Sequence, residues 1–228
     1  MRKVGIIGGI GPASTLDYYN GIINGFRAKS KDGNYPEIVI NSINMTEMLS
    51  YVSSENWDFL ADMLLHAIKN LADAGAEFAA IASNTPHIVY DRVQKKSALP
   101  LISIVESTCN QVQRQGCKKV VVIGTRFTMR SGLYTEALGG YGIRAIAPSS
   151  IEQEAIHRII FPKLEDGIVV PEDRMKMLAI ADRLLAEHRA EGLILGCTEL
   201  PLMIKDNDLD TMIFNTTQIH IDSIVDSI

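Results

Sequence analysis

The chain has 228 residues, 46% hydrophobic and 21% charged, with 27 acidic against 22 basic side chains and a net charge of −5. That is apolar material for one large domain or two small ones. The acidic balance and the scattered lysines and arginines exclude the basic face that a nucleic-acid backbone requires. Three cysteines (Cys109, Cys117, Cys197) and five isolated histidines suggest neither a disulfide framework nor a metal site. No run approaches the roughly 20 apolar residues of a membrane span. The start "MRKVGIIGGIGP" has too short an apolar run for a signal peptide. The expectation is a cytoplasmic protein with no nucleic-acid or membrane partner.

The first apolar run, "KVGIIG" (3–8), reads as a buried strand, and the loop "GGIGPAST" (8–15) opens a helix with Pro12 at its first position. In the register Gly9-x-Gly11-x-x-Ser14 the third glycine of a dinucleotide fingerprint is missing. The second strand, "EIVINSI" (37–43), is followed by Asn44 rather than by an acidic residue for a ribose. The loop is therefore read as a connecting turn, or as one whose amides and hydroxyls, Ser14 and Thr15, receive an anionic group at a helix N-terminus. Residues 56–75 repeat apolar side chains at Trp57, Leu60, Met63, Leu64, Ile68 and Leu71, with Gly75 as a helix stop. Further strands follow at "EFAAIA" (77–82), "PLISIV" (100–105), "KVVVIG" (119–124) and "IRAIAP" (143–148). After a helix predicted over 171–192 come "GLILG" (192–196) and "TMIFN" (211–215). Their hydrophobicity is continuous rather than alternating, as in parallel strands covered on both faces, so the class is α/β.

The pattern is doubled. "VGIIGG" at 4–9 matches "VVVIGT" at 120–125, and "AEFAAIASNT" at 76–85 matches "AEGLILGCTE" at 190–199. "LISI" at 101–104 and "MIFN" at 212–215 form a third pair. This predicts two pseudo-symmetric doubly wound lobes, 1–98 plus 211–228 and 99–210, each a mainly parallel sheet flanked by helices. A site is expected in the cleft between them, at the carboxyl ends of strands. Ser83 and Cys197 then occupy equivalent strand ends, in "SNTPH" and "CTELP". N–H groups at a helix start lower a thiol pKa from about 8.5, which would make a Cys197 thiolate available near neutral pH. An inert, buried thiol is the other reading of Cys197 and the preferred one for Cys109 and Cys117.

Taken together, "GGIGPAST", "SNTPH" followed by "YD", "VVVIGTRFTMRSGLY" and "LGCTELP" resemble the signature blocks of the aspartate/glutamate racemase family, in the family's order and over most of the chain. The resemblance implies a homodimer that inverts an amino acid or dicarboxylate substrate without a cofactor or metal. Two groups on opposite faces of the α-carbon would transfer the proton, and hydrogen bonds to the carboxylate would steady the carbanion. By position it implies catalytic roles for Cys197 and for residue 83. It implies substrate contacts for Gly9, Ser14, Thr15, Asn84, Thr85, Thr125, Thr198 and Glu199. His87 would tune a neighbour or satisfy a helix start. Glu199 would orient the thiol or the ammonium, or cap its helix.

The chain departs from the family pattern in two respects. Ser83 stands where the pattern has cysteine, and a serine hydroxyl is no base at neutral pH unless a neighbour takes its proton. That leaves open a reduced or one-sided racemase, a replaced cysteine, and a branch in which one thiol suffices. Where members acting on aspartate carry an arginine and a lysine for the side-chain carboxylate, this chain reads "NMTEMLSYV" (44–52) and "FPKLEDG" (161–167), with Glu165 in the lysine's place. Arg126 or Arg130 would substitute, or make surface ion pairs. The rival functions are a one-thiol isomerase or decarboxylase and a non-catalytic binding protein for small carboxylates or amino acids.

Overall fold

The computed structural model describes residues 1–30 and 33–228, which form two compact units. The first comprises Met1–Ile104 and His220–Ile228, the second Val105–Ile219.

In the first unit, β1 (Val4–Gly8), β2 (Ile38–Ser42), β3 (Phe78–Ile81) and β4 (Leu101–Ile102) form a parallel sheet in the order β2-β1-β3-β4. Its helices are α1 (Pro12–Lys29), α2 (Met45–Ser53), α3 (Trp57–Asp73) and α4 (Tyr90–Lys96). The helix α3 follows from its apolar spacing. It buries Leu60, Leu64, Ile68 and Leu71, and ends where Gly75 takes φ 88°. The helix packs close to β1: a Cβ on Gly5 would lie 3.0 Å from Leu71 Cδ1.

The second unit repeats the plan. Strands β5 (Lys119–Gly124), β6 (Arg144–Ile146), β7 (Gly192–Gly196) and β8 (Met212–Asn215) are parallel in the order β6-β5-β7-β8. They are joined by α6 (Arg126–Arg130), α7 (Leu133–Gly139), α8 (Ser150–Ile159), α9 (Pro171–His188) and α10 (Leu200–Met203). A wide turn, Ile160–Leu164, follows α8. Helix α9 stops four residues before the expected end, because Arg189 turns left-handed (φ 51°) and Glu191 is already bonded to Lys119 at the start of β5. Two helices have residues in both units: α5 (Ile104–Arg114) and α11 (Thr216–Val225).

The expected division at 98/99 and 210/211 is corrected by strand pairing. β4 hydrogen-bonds to β3 and so stays with the first sheet, while β8 hydrogen-bonds to β7 and stays with the second. The chain returns to the first unit only at His220, where Ile221, Ile224 and Val225 enter a core with Val4, Ile6, Tyr18, Ile22 and Phe78.

The two sheets correspond strand by strand, and so do their registers. Ile7 pairs with Ile81 as Ile123 pairs with Leu195, which sets offsets of 116 from residue 7 to 123 and 114 from 81 to 195. The second offset carries residue 83 onto residue 197. In each sheet the winding reverses between the first and third strands in chain order. In doubly wound sheets the carboxyl ends of that strand pair are where ligands bind. Among the described residues no helix is long and apolar enough to cross a membrane, and no group of three or more His, Cys, Asp or Glu side chains could hold a metal.

Candidate active site

At the carboxyl end of β1 the chain turns through Gly9 and Gly11, both with positive φ (82° and 80°). Gly9 has a second constraint: a Cβ there would lie 2.4 Å from the Ile43 carbonyl oxygen. Pro12 begins α1, and Gly11 at its N-cap brings no side chain to cap it. Ser14 is buried on the first turn. The Thr15 hydroxyl accepts a hydrogen bond from the Gly9 amide (2.8 Å) and donates to the Gly11 carbonyl (3.2 Å). It therefore ties the loop to itself, a different task from the anion contact expected of it.

Beyond β3, Ser83 and Asn84 are buried and lead into a tight 3-10 turn, Thr85–Val89, with Thr85 half-buried at its start. His87 closes this segment. Its Nε2 accepts from the Ile104 amide (3.3 Å), so the ring proton lies on Nδ1 and is donated to the Ser83 carbonyl (2.9 Å). The ring stacks on Tyr90, with centroids 5.2 Å apart. Burial, with the charge of a second histidine, His220, lowers its pKa to about 3. A neutral imidazole with both nitrogens engaged holds the Ser83 backbone in place and has no lone pair left to take the hydroxyl proton. The satisfied-histidine reading therefore describes His87.

Behind it lies a layer that nothing in the local sequence announces. The Tyr18 hydroxyl meets His220 Nδ1 at 2.7 Å, and His220 Nε2 meets the Ile102 carbonyl at 2.9 Å, so the phenol donates to the ring and the ring donates to the carbonyl. Burial lowers the His220 pKa to about 4. Tyr18 and His220 are 202 residues apart. The buried face of α11 around His220 also carries Thr216, Thr217, Ile221 and Ile224, a mixed pattern that does not point to Tyr18.

In the second unit, Thr125 follows β5 and caps α6. Its Oγ1 accepts from the Thr128 amide (3.2 Å) and lies 3.1 Å from the Thr128 hydroxyl. Arg126 pairs with Glu154 (2.9 Å), and Arg130 donates to Gln153 (3.1 Å). Arg126 thus follows the surface ion-pair reading, whereas Arg130 is held by an uncharged amide. The neighbouring strand ends, Gly124 and Gly196, pair directly, and a Cβ on Gly196 would lie 3.0 Å from Thr128 Cγ2.

Cys197 follows β7 and is 6% exposed. Its thiol donates to Glu199 Oε2 at 3.0 Å. The Thr198 hydroxyl donates to the same carboxylate, 2.9 and 2.8 Å from its two oxygens. Glu199 is 4% exposed and stands at the N-cap of α10, yet makes no side-chain cap bond. It orients the thiol instead of capping. Burial, then the Glu199 carboxylate, push the Cys197 pKa well above the usual thiol range, against a smaller downward pull from the Glu199 amide. The expected ready thiolate is therefore corrected: removing the thiol from water beside an anion outweighs the helix-start amide. Glu165, on the turn after α8, also acts on the thiol, and its own pKa is raised to about 7 by burial and then by Glu199. Cys109 and Cys117 are buried, with pKa values raised first by burial, and act as small hydrophobes.

Comparison with known proteins agrees with this fold. A family model described as Asp/Glu/Hydantoin racemase matches residues 7–224. The chain is 28% identical over 202 residues to the broad specificity amino-acid racemase RacX of Bacillus subtilis, covering 86% of this chain and 85% of the relative. The crystal structure of an aspartate racemase homologue from Pyrococcus horikoshii superposes with a TM-score of 0.88 at 36% identity, covering 100% of this chain and 99% of the other. An aspartate racemase from Picrophilus torridus shares the fold, with a TM-score of 0.76 at 23% identity over 100% and 94% of the two chains. A match that runs from the first strand to the last helix, on the same doubled sheets, means that this chain belongs to the Asp/Glu/Hydantoin racemase family.

Proposed function

We propose that this protein is a cofactor-independent amino-acid racemase in which Cys197 and the group at position 83 exchange the α-proton. The observation that carries the reading is the buried Cys197 thiol, bonded to the Glu199 carboxylate at the carboxyl end of β7. Since the thiol rests protonated, it is set to deliver a proton to a carbanion. To abstract one, it first passes its proton to Glu199 Oε2, giving thiolate and carboxylic acid. The thiolate then takes the α-proton and leaves the electron pair on the α-carbon. Gly9, Ser14, Asn84, Thr85 and Thr198 lie in the loops that would hold the α-carboxylate and α-ammonium groups. Thr125 and Thr15 serve mainly as the capping and loop-tying hydroxyls described above.

Position 83 makes the reaction asymmetric. With His87 neutral and engaged on both nitrogens, the Ser83 hydroxyl has no partner base there, so abstraction from its side is the slow half of the cycle. The enantiomer whose α-hydrogen faces Cys197 then exchanges with solvent faster than its mirror image. The homodimer belongs to the same reading. It is supported by exposed apolar side chains on and near the edge strand β2 (Ile40, Leu49, Phe59), and sedimentation equilibrium would check it.

The test is α-proton exchange in heavy water with both enantiomers of acidic, neutral and basic amino acids, followed by chiral analysis. Exchange is expected with unequal rates for the two enantiomers, lost at least 100-fold in Cys197→Ala, with inversion accelerated in Ser83→Cys. Exchange without inversion in either protein would favour the one-thiol reading. Binding without any exchange would favour the non-catalytic receptor.

A further inference from the structure

The Cys197 site has an acidic wall. The turn Ile160–Leu164 is not a loose loop: Ile160 and Leu164 are fully buried in the same core as Cys197, Leu200 and Met203. Glu165 follows directly, its amide bonded to the Ile160 carbonyl (3.0 Å), so its carboxyl is carried on a packed element. That carboxyl is half-buried and acts on both Glu199 and the Cys197 thiol. The groups that act on it in turn are carboxylates, Glu199 and Asp166. Of the cations nearby in sequence, Lys163 is exposed, and Arg174 is held by Asp208 (2.5 Å) and the Met203 carbonyl (2.9 Å).

A substrate positioned for proton transfer at Cys197 brings its α-carbon, and with it the first bonds of its side chain, to these groups. Glu199 is already engaged by the thiol and by Thr198, and among the described residues no cation acts on Glu165. A side-chain carboxylate there would add a like charge to a half-desolvated acidic pair. An ammonium or a hydrogen-bond donor would relieve it.

We propose that Glu165 determines substrate specificity, selecting amino acids whose side chain is cationic or donates a hydrogen bond and rejecting aspartate and glutamate. The inference rests on the racemase reading and assigns its substrate class. It follows from the cluster formed by Cys197, Glu199 and Glu165.

The experiment measures kcat/KM for α-proton exchange on near-isosteric pairs, lysine against norleucine and glutamine against glutamate, in the unaltered protein, Glu165→Gln and Glu165→Lys. Circular dichroism checks that each variant is folded. The expected result is a preference of at least tenfold for lysine over norleucine and for glutamine over glutamate. Both ratios should shrink toward one in Glu165→Gln, and the glutamine preference should invert in Glu165→Lys. A folded Glu165→Gln with unchanged ratios, or faster glutamate than glutamine exchange in the unaltered protein, overturns the specificity role and leaves the racemase reading standing. Absence of exchange with every amino acid overturns both.

Discussion

At the scale of single residues, the two strand-end clusters handle charge in different ways. Next to Ser83 the His87 imidazole is kept neutral, with the neutral His220 ring behind it, whereas the Cys197 thiol rests protonated against the Glu199 carboxylate. The imidazoles have a consequence for stability. His87 and His220 have folded pKa values of about 3 and 4, below the usual 6.5, so the unfolded chain binds more protons across that window. Their contribution is present above pH 6.5 and is lost as pH falls through 6.5 toward 4. The loss is about 1.4 kcal/mol per ring for each pH unit in that range. NMR titration should therefore find both rings neutral at pH 5, and melting temperature should drop between pH 6.5 and pH 5. Rings that titrate near pH 6.5 would contradict the buried network. The Cys197 and Ser83 positions were legible in the sequence because each directly ends an apolar strand. The neutrality of His87 was not, because it depends first on burial by segments distant in the chain and then on His220.

At the scale of elements, the glycine loop after β1 joins conformational and packing demands in one residue. Gly9 has φ 82° and sits against the end of β2, where a Cβ would approach Ile43 O to 2.4 Å and Ser42 Oγ to 2.5 Å. Gly142 also has positive φ (69°), but a Cβ there meets nothing within 4 Å. Alanine at position 142 should cost only the left-handed penalty, about 1–2 kcal/mol. Alanine at position 9 should cost that amount and also displace backbone, for a total of at least roughly 3 kcal/mol. Thermal melts of the two variants check the difference, since about 2–4 °C corresponds to 1 kcal/mol in a chain of this size. Equal losses would mean that Gly9 serves only its dihedral angle. Strand runs and two of the three long helices, α3 and α9, were readable from continuous hydrophobicity and 3.6-residue spacing. The work of the Thr15 and Thr125 hydroxyls was not, because a threonine after a strand can equally face a ligand, tie a loop or cap a helix.

At the scale of the whole molecule, the doubling explains why one fold offers two comparable strand-end positions and also why the chain must come back. The last nine residues, His220–Ile228, belong to the first unit and bring Ile221, Ile224 and Val225 into its core, each under 10% exposed. At about 1.5–3 kcal/mol for each buried aliphatic side chain, removing them subtracts roughly 5–9 kcal/mol. That is a large share of the 5–15 kcal/mol by which domains are usually stable. A chain ending at Ile219 should therefore lose amide-exchange protection in β1 and β3. The truncation would also remove the imidazole behind His87. A truncated protein with protection like that of the whole chain would mean that the returning segment is an accessory to this core.

By itself the sequence determined the α/β class, the order of strands and long helices, the doubled plan and the two polar clusters at residues 83–85 and 197–199. These follow from local patterns, since burial on both faces leaves a continuous apolar run and a repeated plan leaves repeated runs. Only the tertiary structure decided that β4 pairs with β3 and β8 with β7, that Tyr18 meets His220, and that the Cys197 thiol rests protonated between burial and the Glu199 charge. Pairing and protonation are settled by neighbours brought together from distant parts of the chain, so no window of sequence contains them.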